Sequence, residues 1–276
     1  MQKVNYTNVD SYRIRFQEKG EGFPLLLMHG LGASLEWWQF NVDSLSRKYR
    51  VIALDFLGFG YSSREINEYS LSYASKFLIS FLDTLEIDKA SLLGNSMGGL
   101  ISLSAALEYS ERVEKLVLVD NAGFGQELSF ILRLGSLFPV GELALALRNK
   151  FTVNMLLSQL FYDSQKLPPN LVDCVLRIFS LPRSSQALLR ILRYGVDVKG
   201  LKSDVWKPLQ EKASFLSCPT LIIWGHQDKI TPVDQAYRGQ QLIKQAALYI
   251  FEKCGHMPQV EWAAEFNDLV LDFLES

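Results

Sequence analysis

The chain has 276 residues, 48% of them hydrophobic and 21% charged, enough apolar material for a sizeable core and too much for a disordered chain. Acidic and basic residues are interspersed to a formal charge of −2, so no basic footprint for nucleic acid or an anionic membrane surface is expected. Three widely spaced cysteines, Cys174, Cys218 and Cys254, form no Cys-x-x-Cys or Cys/His cluster, so neither a disulfide framework nor a metal site is expected, and no cofactor.

The N-terminal stretch MQKVNYTNVDSYRIRF is polar and mixed, with no apolar signal core, and no apolar run approaches the ~20 residues that span a bilayer. The expectation is a soluble, cytoplasmic protein with reduced thiols and no integral membrane segment. Residues 12–17 (YRIRFQ) alternate as a hairpin strand does, and Lys19-Gly20-Glu21-Gly22 makes a turn. Residues 25–28 (LLLM) and 50–54 (RVIAL) are short apolar runs of the kind buried in a parallel sheet. Residues 70–85 carry apolar positions at helical spacing. A third run covers 89–93 (KASLL), an amphipathic helix 99–108, and a fourth run 115–119 (KLVLV).

That alternation predicts an α/β fold, a mostly parallel sheet flanked by helices. The rhythm breaks between residues 124 and 207, where only helix-like stretches separated by Pro139, Pro168-Pro169, Pro182 and Gly195 are found. Strands resume at 220–224 (TLIIW) and 248–251 (LYIF), with a closing helix over 261–274. Residues 125–206 therefore read as a helical lid over the carboxyl ends of the strands, and 1–124 with 207–276 as the core.

Gly94-Asn95-Ser96-Met97-Gly98 lies between a strand and a helix, the setting of a nucleophile elbow. The flanking glycines give the sharp turn room, and Ser96 is held proud of the sheet. Serine needs a base to take its proton, and only His29, His226 and His256 are present. His256, in Cys254-Gly255-His256-Met257-Pro258 after the last strand, is the expected base. Asp228, in Trp224-Gly225-His226-Gln227-Asp228, is the expected third member that orients the imidazole. Asp120, at the end of another strand, is the runner-up. The expected oxyanion donors are the backbone amides of Met97 and Leu31, the latter in the loop His29-Gly30-Leu31-Gly32.

His29 reads as structural, pinning its loop by hydrogen bonds, and His226 receives no role. Residues 55–62 (DFLGFGYS) contain neither Gly-x-Gly-x-x-Gly nor a phosphate-binding loop, so they read as a brace for the His29 loop. Trp37-Trp38 and Phe40 are candidate walls of an acyl pocket.

Taken together, the motifs at residues 29–32, 55–62, 94–99, 224–228 and 255–256 resemble the α/β-hydrolase fold superfamily, across essentially the whole chain. The resemblance implies a Ser96–His256–Asp228 triad with Leu31 and Met97 at the oxyanion. The serine separates it from haloalkane dehalogenases and epoxide hydrolases, which use aspartate. GNSMGG followed by LEYSERVEKLVLV is similar to the meta-cleavage-product hydrolases, which split carbon–carbon bonds of dienoic diketo acids. Such a substrate implies a lid arginine, among Arg177, Arg183, Arg190 and Arg193. Those enzymes usually carry a Gly-Pro-Gly-type oxyanion run and a tryptophan after the histidine; here stand Gly30-Leu31-Gly32 and Met257.

The first reading is therefore a carboxylesterase-like serine hydrolase that cleaves an ester of an apolar or aromatic acyl group through an acyl-enzyme. A C–C bond hydrolase is the alternative. A ligand receptor on the same scaffold is a third reading, of another class.

Overall fold

Residues buried on both faces of a sheet read as near-continuous apolar runs, and the strands that form from them are parallel. In the computed structural model, which describes residues 4–66 and 68–276, those runs become β3 (Pro24–Met28), β4 (Arg50–Leu54), β5 (Ala90–Asn95), β6 (Val113–Val119) and β9 (Thr220–Gly225). With β1 (Val4–Val9), β2 (Tyr12–Lys19) and β10 (Ala246–Phe251) they make an eight-stranded sheet in the order β1-β2-β4-β3-β5-β6-β9-β10. The β1–β2 and β2–β4 pairs are antiparallel; all others are parallel. β1 was not among the predicted strands, because its half-exposed residues (VNYTNV) carry little apolar signal.

The register aligns the carboxyl ends of the inner strands. Met28 pairs with Gly94, Asn95 with Val119, Val119 with Ile223, and Gly225 with Phe251. The loops that follow β3, β5, β6, β9 and β10 therefore open on one edge, where ligands of open α/β sheets bind. Alternate side chains divide into two cores. Leu26, Met28, Leu92, Leu118 and Trp224 face the layer of α2 (Leu71–Thr84) and α3 (Met97–Glu108). Leu25, Leu27, Leu93, Val119 and Ile223 face α12 (Ala263–Glu275) through Phe266, Val270 and Leu274.

α1 (Val42–Leu45) and α11 (Pro258–Glu261) are single turns, and α10 (Asp234–Leu242) precedes β10. Between β6 and β9 lie α4 (Phe130–Gly135), α5 (Val140–Ala146), α6 (Lys150–Ser158), α7 (Pro169–Ser180) and α8 (Ser184–Gly195). α6 starts with a reciprocal cap, Thr152 N–H to Asn149 Oδ1 at 3.0 Å and Asn149 N–H to Thr152 Oγ1 at 2.9 Å, of a kind that contributes about 1 kcal/mol. Two features differ from the expected all-helical insertion. A minimal antiparallel pair follows α8, β7 (Val196–Asp197) with β8 (Gly200–Leu201). Residue 206, the expected end of the lid, falls inside α9 (Ser203–Lys212), whose Val205 and Leu209 join the α2/α3 core together with Ile191, Leu192, Val196 and Leu201.

Candidate active site

Ser96 stands between β5 and α3 at φ 56°, ψ −117°, a backbone region that costs a non-glycine residue about 1–3 kcal/mol. The surrounding glycines make that geometry possible. A Cβ on Gly94 would lie 2.4 Å from the Gly98 carbonyl oxygen, and one on Gly98 would lie 2.3 Å from the Met28 carbonyl oxygen. Helix and strand ends are thus pressed together under the serine. Asn95 adds a tie beneath it, its amide donating to the carbonyls of Val119 and His256 at 3.3 and 3.2 Å.

His256 follows β10 and Asp228 follows β9; both are buried. His256 Nδ1 and Asp228 Oδ2 are 2.7 Å apart. Asp228 is itself fixed: Oδ1 accepts the amides of Ile230 and Thr231 at 2.7 and 3.2 Å, and Oδ2 accepts the Thr231 hydroxyl at 2.7 Å. With Nδ1 donating to this carboxylate, Nε2 is left as the basic nitrogen. Ser96 and His256 line the same cavity, so the three expected side chains are assembled from three strand ends.

The two residues expected to supply the oxyanion amides lie in the same region. Leu31 and Met97 line the cavity beside Ser96, and among the described residues neither amide has a hydrogen-bond acceptor. Gly30 allows the approach, since a Cβ on it would lie 3.2 Å from Ser96 Cβ. The brace beneath this loop is as expected. Asp55 Oδ1 accepts the Leu35 amide at 2.8 Å, Oδ2 accepts the Tyr61 amide at 2.7 Å, and Arg15 Nη1 donates to Oδ2 at 3.0 Å. Burial pushes the Asp55 carboxyl up to about 6, against the pull of Arg15.

Asp120, the runner-up acid, is fully buried behind the pair. A carboxyl oxygen of Asp120, one of Asp228 and a ring nitrogen of His256 lie within 4.8 Å of one another. Asp120 Oδ1 accepts the Gly225 amide at 2.9 Å, and Oδ2 has no partner. Burial first, and the neighbouring Asp228 second, hold its carboxyl well above the usual range. Two carboxylates so close cannot both ionise at modest cost, and Asp228, with its four donors, is the one suited to the charge. Among the described residues this trio alone could share a cation, but Asp228 and His256 are already bonded to each other, which suits proton handling.

The cavity has two arms that share Leu31, Ser96, Leu132, Leu192 and Ile230. One runs between the sheet edge and α8 past Leu71, Leu100 and Tyr194 and carries no charged side chain. The other lies under α5 and α6 past Trp37, Val153 and Phe179, with Arg148 on its wall.

Several expectations need correcting here. None of Arg177, Arg183, Arg190 and Arg193 lines either arm; Arg193 pairs with Glu142, Arg183 with Glu65, and Arg190 donates to the Ile66 carbonyl. Arg148, which the sequence reading did not weigh, is the cavity's guanidinium. Its Nη1 and Nη2 donate to the carbonyls of Leu145 and Phe179 at 2.5 and 2.6 Å. Of the three aromatic residues, only Trp37 reaches the cavity; Trp38 is core and Phe40 is solvent-exposed. His226 is exposed and bonded to Glu252. The three cysteines are buried and unpaired. Among the described residues no helix is long and apolar enough to cross a membrane.

Residues 24–262 match the family model described as alpha/beta hydrolase fold. The chain belongs to that family. This α/β hydrolase is 33% identical to a 2-hydroxymuconate semialdehyde hydrolase of Pseudomonas sp. (strain CF600), over 95% of the chain and 90% of the relative. It is also 33% identical to a dihydrolipoyllysine-residue acetyltransferase component of the acetoin cleaving system of Pseudomonas putida, over 94% of the chain but only 65% of that longer protein. A solved meta-cleavage product hydrolase of Pseudomonas fluorescens IP01 superposes with a TM-score of 0.83 at 29% identity, covering 98% of this chain and 97% of the other. The fold expectation holds, and the chain is a hydrolase of this fold.

Proposed function

We propose that this hydrolase cleaves carboxylic esters with an apolar or aromatic acyl group through an acyl-enzyme. The carrying observation is that Ser96, with the buried His256–Asp228 pair nearby, opens into an arm free of charged side chains. Ser96 Oγ attacks the carbonyl carbon as its proton passes to His256 Nε2. The Leu31 and Met97 amides receive the oxyanion, each of them contributing about 3 kcal/mol in such sites. His256 then gives the proton to the departing alkoxide, and water repeats the sequence to release the acid. The helical insertion, α4 to α8, acts as the lid that keeps the acyl group from water. The test is turnover of p-nitrophenyl esters from acetate to decanoate, beside a dienoic meta-cleavage product, by wild type and Ser96→Ala. Fast ester turnover that the variant lacks supports the reading.

A second reading is favoured by the relatives: carbon–carbon bond hydrolysis of a dienoic keto acid. Arg148 is then the group that meets the substrate carboxylate, with the guanidinium N–H groups that the Leu145 and Phe179 carbonyls do not take. The arm beside Ser96 that carries no charged side chain places this reading second.

A further inference from the structure

Glu261 is buried at 5% exposure, at a joint between two segments distant in sequence. Its Oε1 accepts the Gly255 amide at 2.6 Å, one residue before His256. Its Oε2 accepts the amides of Tyr162 and Asp163 at 2.9 and 3.2 Å, where the chain leaves α6. Backbone closes the same joint, the His256 amide donating to the Leu160 carbonyl at 2.7 Å. The fit leaves no slack: a Cβ on Gly255 would lie 2.5 Å from the Leu160 carbonyl oxygen and 2.8 Å from the Tyr162 nitrogen.

Burial raises the Glu261 carboxyl above its ordinary pKa, against the pull of these three amides and of Lys166. What the joint connects gives it a function. Val153, Leu157 and Leu160 form the roof of the second arm, and His256 with Met257 forms part of its floor.

Resting on the reading of His256 as the base, we propose that Glu261 is a positioning residue that locks the exit of α6 to the His256 loop, so that cavity roof and proton acceptor take their working positions as one unit. Glu261→Gln is isosteric and keeps one acceptor oxygen, but turns an NH2 group toward an amide donor; Glu261→Ala removes both acceptors.

The experiment measures kcat and KM on the best ester well below each variant's Tm, with amide hydrogen exchange of segments 160–163 and 254–257 in the absence of substrate. The proposal expects kcat to fall roughly tenfold for Gln and further for Ala, as loss of an orienting outer partner does elsewhere, with exchange faster in both segments together. Wild-type kcat in Glu261→Gln despite a lowered Tm, or faster exchange in one segment alone, overturns it. If wild type turns over no ester, the proposed function fails separately and exchange alone decides. Joint loosening then supports the lock, and loosening of one segment refutes it.

Discussion

The Phe56 amide donates to His29 Nε2 at 3.0 Å, while His29 Nδ1 lies 2.7 Å from the Gly30 carbonyl oxygen. The ring is therefore neutral with its proton on Nδ1, and it staples the loop after β4 to the loop that carries Leu31. Burial lowers its pKa from 6.5 to about 4. The unfolded chain thus binds a proton that the folded chain refuses. Stability is lost as pH falls from about 6.5 toward 4, by at most about 3 kcal/mol, and levels off below that. Urea midpoints measured across this range should slope less steeply in His29→Asn than in wild type. Equal slopes would remove His29 from the acid sensitivity.

Asp120 and Asp228 differ in charge on this account, although both are buried beside His256. Asp120→Asn replaces a neutral acid with a neutral amide and should keep kcat/KM within a few fold, its acidic limb unmoved. Asp228→Asn should cost about 10³–10⁴ in kcat, because the imidazole loses its anionic partner. The reverse ranking would make Asp120 the working acid.

That Ser96, Asp228 and His256 lie at one edge of the sheet was legible because each follows a strand signal, and strand ends of a parallel sheet share an edge. The brace at residues 55–62 was legible from its glycines. Arg148 was not, because helix faces inside an insertion depend on packing between α5, α6 and α7 that no periodicity encodes. The contact of Glu261 with residues 162 and 163 was hidden for the same reason: it joins segments about a hundred residues apart by backbone amides, which carry no residue signature.

Gly98 tests the packing under the elbow. An added Cβ would sit 2.3 Å from the Met28 carbonyl oxygen and 2.7 Å from that of His29, so α3 must move off the end of β3. Gly98→Ala should cost about 3 kcal/mol, the upper range for overpacking at a rigid contact, read as a lowered urea midpoint. A midpoint equal to wild type would mean that the strand end yields easily.

Arg148 separates the two substrate readings. Arg148→Met should leave ester kcat/KM within about threefold, since the guanidinium is engaged by carbonyls of the insertion and no charge develops beside it. If carbon–carbon cleavage is the true reaction, the same variant should raise KM for the dienoate at least ~10-fold, the typical scale for losing a charged hydrogen bond.

In the proposed function Ser96 is a nucleophile activated by His256 and Asp228. Its most direct test is reaction with an alkyl fluorophosphonate, followed by intact mass and peptide mapping, in wild type, Ser96→Ala and His256→Ala. Wild type should carry one phosphonyl group per chain on Ser96, Ser96→Ala none, and His256→Ala should label slower by orders of magnitude. A wild-type protein that stays unlabelled, or that carries the label on another residue, would contradict it.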